Sequence, residues 1–139
     1  MRYVLTDIDN TLSDATWRYP WLGRWDEYHS MSDKDQPINF TSFILRAVRS
    51  QAKIIAITAR PEVCRKKTME WFKKYDIPVT SILMRKDIDH RPSSMVKADL
   101  IIENFPDLSV IDFILDDRDD VCSSYVALGL NVLQVRRKM

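Results

Sequence analysis

"YVLTDIDNTL", Tyr3 to Leu12, is a run of strand formers that ends in two carboxylates one residue apart, Asp7 and Asp9. Tyr, Val, Leu and Thr suit a pleated, half-buried surface, whereas a carboxylate buried without a partner costs several kcal/mol or takes up a proton. Two at one strand end therefore need a cation, hydrogen-bond donors or a chemical task. Asp and Asn also end strands simply because they favour turns. What the other strands bring to the same edge decides between these readings.

Outward from this stretch, the runs "YVLT", "KIIAIT", "VTSILM", "VIDFIL" and "NVLQV" alternate with segments of helical period. Phe40, Phe43, Ile44, Ala47 and Val48 mark one helix, and Val63, Met69, Trp71, Phe72 and Tyr75 a second. Met95, Ile101, Ile102 and Phe105 mark a third; Val121, Cys122, Tyr125 and Leu128 mark a fourth, which Gly129 can cap. Alternation of this kind predicts an α/β fold in three layers, a five-stranded parallel sheet with helices on both faces. Only residues 13–37 lack a clear period, and they read as a flap or cap-like loop on a single domain, 1–139.

The chain of 139 residues is 45% hydrophobic and 29% charged, which suits one soluble domain with a real core. Lys and Arg number 21 against 20 Asp and Glu, so a net charge of +1 argues against coating a long nucleic acid and leaves a small anion or a nucleic acid end. Cys64 and Cys122 lie in helical patterns without metal-ligand spacing and read as reduced core thiols. No apolar run reaches membrane-spanning length, and the first strand starts at once, leaving no room for a signal peptide. A cytoplasmic protein is expected. With two glycines, Gly23 and Gly129, the sequence cannot hold a GxxxxGK[ST] phosphate loop, so it houses no kinase.

In open parallel sheets, ligands bind beyond the carboxyl ends of the strands. The first strand delivers Asp7 and Asp9 there, and the second delivers Thr58, Ala59, Arg60 and Pro61. Pro61 suits a first helical position, which would aim backbone N–H groups at an anion. The fourth strand ends in "LDDRDD", Leu115 to Asp120, and Lys97 near the start of the third helix can reach the same edge. Taken singly, Thr58 fits a helix cap, Lys97 a solvated lysine and the acidic run a solvated loop. Their shared edge favours metal ligands plus a nucleophile.

In order and placement, "DIDNTL", "ITAR", Lys97 in "SSMVKADL" and "LDDRDD" resemble the four motifs of the haloacid dehalogenase-like superfamily of phosphohydrolases. Within it, "ILMRKD", "MVKADL", "ILDDRDDV" and "LGLNVLQV" look most like the 3'-phosphatase domain of phage-type polynucleotide kinase-phosphatases. Two departures stand out: Asn10 where the family pattern has Gly, and Thr58-Ala59-Arg60 where it has Ser-Gly-Arg. The resemblance implies Asp7 as nucleophile, Asp9 as acid and base, and Thr58 and Lys97 as catalytic groups on the transferring oxygens. It also implies Mg²⁺ held by Asp7, the Asp9 carbonyl, Asp116 and Asp117. The expected activity is removal of a 3'-phosphate from polynucleotide ends, or of phosphate from mononucleotides and other small phosphomonoesters. With no phosphate loop of its own, the chain is expected to be a free-standing phosphatase, and a separate polynucleotide kinase is a candidate partner that the sequence leaves open. A receiver domain of phosphorelay signalling carries similar residues, but its acceptor Asp follows the third strand, which here ends in "ILMRKD".

For substrate contacts, "WRYPWLGRWDEYH", Trp17 to His29, interleaves aromatics with arginines. Trp21, Trp25 and Arg24 are candidates there to stack a base or hold a backbone, and the same rings could equally fasten a loop to the core. Arg60, Arg85, Lys86 and Arg91 would extend a basic track, while Arg118 could pair with a neighbouring carboxylate. His29 and His90 have no partner at metal spacing and receive no role.

Overall fold

The computed structural model describes residues 1–138. Its main sheet consists of β1 (Tyr3–Thr6), β4 (Lys53–Pro61), β5 (Ser81–Arg85), β6 (Ile111–Asp116) and β7 (Val132–Gln134), all parallel, in the order β5-β4-β1-β6-β7. Strand β1 is central and buried on both faces, so its alternate residues feed two cores. Val4 packs with Leu45 of α2 (Asn39–Val48) and with Trp71 and Phe72 of α3 (Arg65–Lys74). Leu5 packs on the other side with Ile101 of α4 (Ser93–Asn104) and with Val121 and Tyr125 of α5 (Asp119–Ala127). The three layers expected from the alternating pattern are present.

Register explains why the carboxylates meet. Thr6 pairs with Ala56 on one side and Leu115 on the other, and the Asp7 N–H donates to the Leu115 carbonyl at 2.8 Å. Asp7 and Asp116 are therefore the first residues past the same level of two adjacent strands. Parallel strands in register necessarily end at one edge.

Residues 13–37 are more ordered than their sequence suggested. They form β2 (Ser13–Asp14) paired antiparallel with β3 (Gln36–Pro37), a 3₁₀ segment Thr16–Trp21 and a short helix α1 (Trp25–Ser30). Ion pairs and indole N–H bonds hold this flap down, and neither leaves a period in sequence.

Two helix expectations need correction. On α2 the apolar stripe is not the packed face: Phe40 and Phe43 are 49% and 68% exposed, and Thr41, Ser42 and Leu45 are buried. The Thr41 hydroxyl ties this face to the loop after β1, donating to the Thr11 carbonyl at 2.6 Å, while the Ser42 hydroxyl is satisfied within the helix's own first turn by the Ile38 carbonyl at 3.0 Å. Val63, Met95 and Ile102 are exposed as well. The second correction is at Pro61, which ends β4 in extended backbone (φ −72°, ψ 155°); a 3₁₀ turn, Glu62–Cys64, separates it from α3. The Val63 N–H donates to Asp87 Oδ1 at 3.1 Å, so this turn already has its anionic partner.

Candidate active site

The carboxyl edge of the sheet opens into a cleft of about 1210 Å³ whose floor carries Asp7, Asp9, Thr58, Lys97 and Asp117. Tyr19 and residues 22–29 of the flap form one wall, and the segment from Arg85 to Ser93 forms the other. Asp116 lies fully buried beneath.

Asp7 is buried, with Oδ1 accepting from Lys97 Nζ at 2.9 Å and Oδ2 from Thr11 Oγ1 at 3.0 Å. Lys97 also donates to Asp116 Oδ2 at 2.7 Å, so one buried ammonium bridges carboxylates from two strands. Burial alone would lower the lysine's pKa; Asp7 and Asp116 outweigh it and hold the group charged, well above its ordinary value. Burial and the crowding Asp116 charge push Asp7 well up, against Lys97. Burial pushes Asp117 up too.

Oxygens of Asp7, Asp116 and Asp117 all lie within 4.8 Å of one another. With all three carboxylates ionised, as a bound cation would hold them, the single Lys97 ammonium leaves two negative charges in this cluster, and the donors are all oxygen. That donor set and charge fit a hard divalent cation.

Asp9 belongs to a different electrostatic unit. Its Oδ1 accepts from Arg18 Nη2 and Arg60 Nη2, each at 2.7 Å, and its side chain keeps 23% exposure toward the cleft. Burial pushes this carboxyl up, but Arg60 and Arg18 outweigh it and hold it far below the ordinary carboxylate range. The two fully buried guanidiniums also share Asp35, with Arg18 Nη2 at 2.7 Å and Arg60 Nη2 at 3.5 Å from its Oδ2. Two arginines and two aspartates thus form a buried cluster linking the flap to the loop that follows β1.

The arginines expected to form a basic track are employed otherwise. Arg60 is fully buried, and besides Asp9 it donates to Thr68 Oγ1 at 3.1 Å and Ser13 Oγ at 3.3 Å. Arg85 borders the cleft but donates to the carbonyls of Ala59, Asp89 and Arg91, tying the opposite wall together. Arg118 pairs with Asp120 at 3.0 Å. Trp25 and Arg24 do line the cleft, Arg24 paired with Glu27 at 2.6 Å; Trp21 instead packs edge-on against Trp17, ring centroids 6.5 Å apart.

Sequence reasoning gave Arg18 only a place among the arginines of the Trp17 to His29 stretch and missed Asp35, which gave no signal in the aperiodic segment; it assigned no role to His29 or His90, which both border the cleft. His29 stacks under Trp25, ring centroids 6.1 Å apart, and its buried Nδ1 has no hydrogen-bond partner among the described residues.

A family model described as the polynucleotide kinase PNKP phosphatase domain matches residues 1–138. Among solved structures, a chain of the Pnkp1/Rnl/Hen1 RNA repair complex superposes with a TM-score of 0.85 at 29% identity, over 96% of this chain and 42% of that one. A haloacid dehalogenase-like family hydrolase from Streptococcus pneumoniae superposes with a TM-score of 0.66 at 14% identity, over 96% and 84%. An L-2-haloacid dehalogenase does so with a TM-score of 0.67 at 11% identity, over 99% and 85%. This chain spans less than half the length of the repair-complex relative. A comparison with curated proteins finds no match.

Proposed function

The chain belongs to the phosphatase-domain family of polynucleotide kinase PNKP, and from that premise we propose that it is a magnesium-dependent 3'-phosphatase of polynucleotide ends. A member of this family is a phosphatase, so a receiver-like signalling role is set aside. The observation that carries the reading is the pairing of two carboxylate units at one cleft: Asp7 bridged by Lys97 to Asp116, and Asp9 held separately by Arg18 and Arg60.

Asp7 attacks the phosphorus in line, the bond from phosphorus to the leaving oxygen breaks, and Asp9 gives that oxygen a proton. The Asp9 carboxylate then takes a proton from water as the water attacks the aspartyl-phosphate, which frees inorganic phosphate and restores Asp7. Before substrate arrives, the two arginines keep Asp9 ionised. A phosphate dianion beside it opposes them and raises its proton affinity, so the proton it delivers is taken up with substrate. Lys97 and Thr58 hold the transferring oxygens, Lys97 also offsetting the charge that passes from Asp7. Asp7, the Asp9 carbonyl, Asp116 and Asp117 would hold magnesium, which when bound would supply the positive charge that lets an anionic nucleophile meet an anionic substrate.

Support for a polynucleotide end comes from the cleft walls, where Trp25 over His29 offers a ring face for a base. The repair-complex relative points to nucleic acid as well, and a separate kinase remains the proposed partner. No helix of the described residues is long and apolar enough to cross a membrane. The cytoplasmic location expected from the sequence stays part of the proposal. Initial rates on 3'-phosphorylated oligonucleotides, 5'-phosphorylated oligonucleotides, mononucleotides and sugar phosphates test the reading. The 3'-phosphorylated oligonucleotide should lead by at least about tenfold, because remote binding energy is spent at the reacting centre. A lead for mononucleotides or sugar phosphates instead would make this a small-molecule phosphatase.

A further inference from the structure

Asn10 follows the nucleophile loop's second carboxylate with left-handed backbone, φ +61°, and its side chain is fixed by its neighbours. Oδ1 accepts from the Ala15 N–H at 3.0 Å and from Arg137 Nη2 at 3.0 Å. Both are donors that cannot accept, so the amide cannot be turned round. Its NH₂ group therefore faces the Tyr19 hydroxyl, 3.0 Å away, and must donate to it. A phenol oxygen that accepts this bond still carries its own proton, and the proton finds no acceptor among the described residues. Tyr19 stands in the cleft wall with 45% of its surface exposed.

We propose that Tyr19 is a specificity-determining substrate contact, its hydroxyl donating to a non-bridging oxygen of the phosphodiester on the 5' side of the terminal nucleoside. This rests on the polynucleotide reading above. On that reading the reacting phosphoryl group already has Lys97, Thr58 and the cation site on the cleft floor, whereas Tyr19 stands apart from them on the flap wall, open to another part of the substrate. A phosphodiester is present whatever the base, so the contact reads the polymer and not its sequence. A neutral donor also displaces no counterion, so its contribution should not weaken with salt as a lysine contact would.

The test compares kcat/KM for wild type and Tyr19→Phe on a 3'-phosphorylated dinucleotide, a nucleoside 3'-monophosphate and an aryl phosphate, at low and high salt. The dinucleotide should lose about three- to tenfold more than the monophosphate, which lacks the diester, and the difference should be the same at both salts. Asn10→Gly keeps the left-handed backbone while freeing the hydroxyl to rotate. It should reproduce part of that selective loss and add little to it in the double variant. Equal losses on all three substrates, or no loss, overturn the assignment and leave the phosphatase reading intact. Wild-type protein that cleaves the aryl phosphate but neither nucleotide overturns the polynucleotide reading, and this inference with it.

Discussion

Asp7 and Asp9 are separated by one residue, yet their surroundings move their proton affinities in opposite directions. Burial beside Asp116 raises the first, while Arg60 and Arg18 prevail over burial to lower the second. Both carboxylates were legible in "DIDN", because a strand end is where such groups are aimed at a ligand. The electrostatics were not, because Arg18 lies in a stretch without period and Arg60 was expected at the surface. The same arginines act on His29. Burial lowers its pKa to about 4, with Arg60, Arg18 and Arg85 adding to the effect and Asp9 opposing it. In the unfolded chain the imidazole titrates near ~6.5. Between those values the unfolded chain binds a proton that the folded one refuses, so stability should fall as pH drops through this window and level off below it. Because the ring is partly exposed, the loss should be about 1–2 kcal/mol. Urea unfolding across the window should show that slope in wild type and lose it in His29→Gln. An unchanged slope in the variant would assign the dependence to carboxylates.

At the scale of elements, the flap is the part whose organisation the sequence concealed. Five strands and four helices announced themselves through alternation, since burying one face of a strand or helix forces a period on the chain. The flap is instead pinned by point contacts. Asp35 is fully buried and accepts from Arg18 Nε and the Trp17 indole through Oδ1, at 2.9 and 2.8 Å, while its carbonyl accepts from Trp71 Nε1 at 2.9 Å. On α2, the buried Thr41 hydroxyl is a point contact of the same kind: its bond to the Thr11 carbonyl ties a polar face of the helix inward. Removing one partner of a buried ion cluster strands the other, so Asp35→Ala should cost about 3 kcal/mol or more. Cutting the exposed Arg24–Glu27 pair with Glu27→Ala should cost less than about 1 kcal/mol. Chemical denaturation of both variants measures the contrast, and similar small losses would mean that the cluster does not anchor the flap.

For the whole molecule, the site exists because a parallel sheet gathers residues that are distant in sequence. Lys97 reaches Asp7 across ninety positions, |i−j| = 90, and Asp116 stands beside Asp7 by strand register alone. Order along the chain made the family resemblance readable, and the family match over residues 1–138 agrees with that resemblance. On the proposed reading, the parts together pass a phosphoryl group through Asp7. An aryl phosphate carrying labelled phosphorus, mixed with excess enzyme and magnesium and quenched in acid during a single turnover, tests that claim most directly. Label should appear on the protein as the aryl group leaves, be released by hydroxylamine as expected of an acyl phosphate, and be absent in Asp7→Asn and in chelator. Labelled phosphate released at the same rate as the aryl group, with no label ever on the protein, would contradict it.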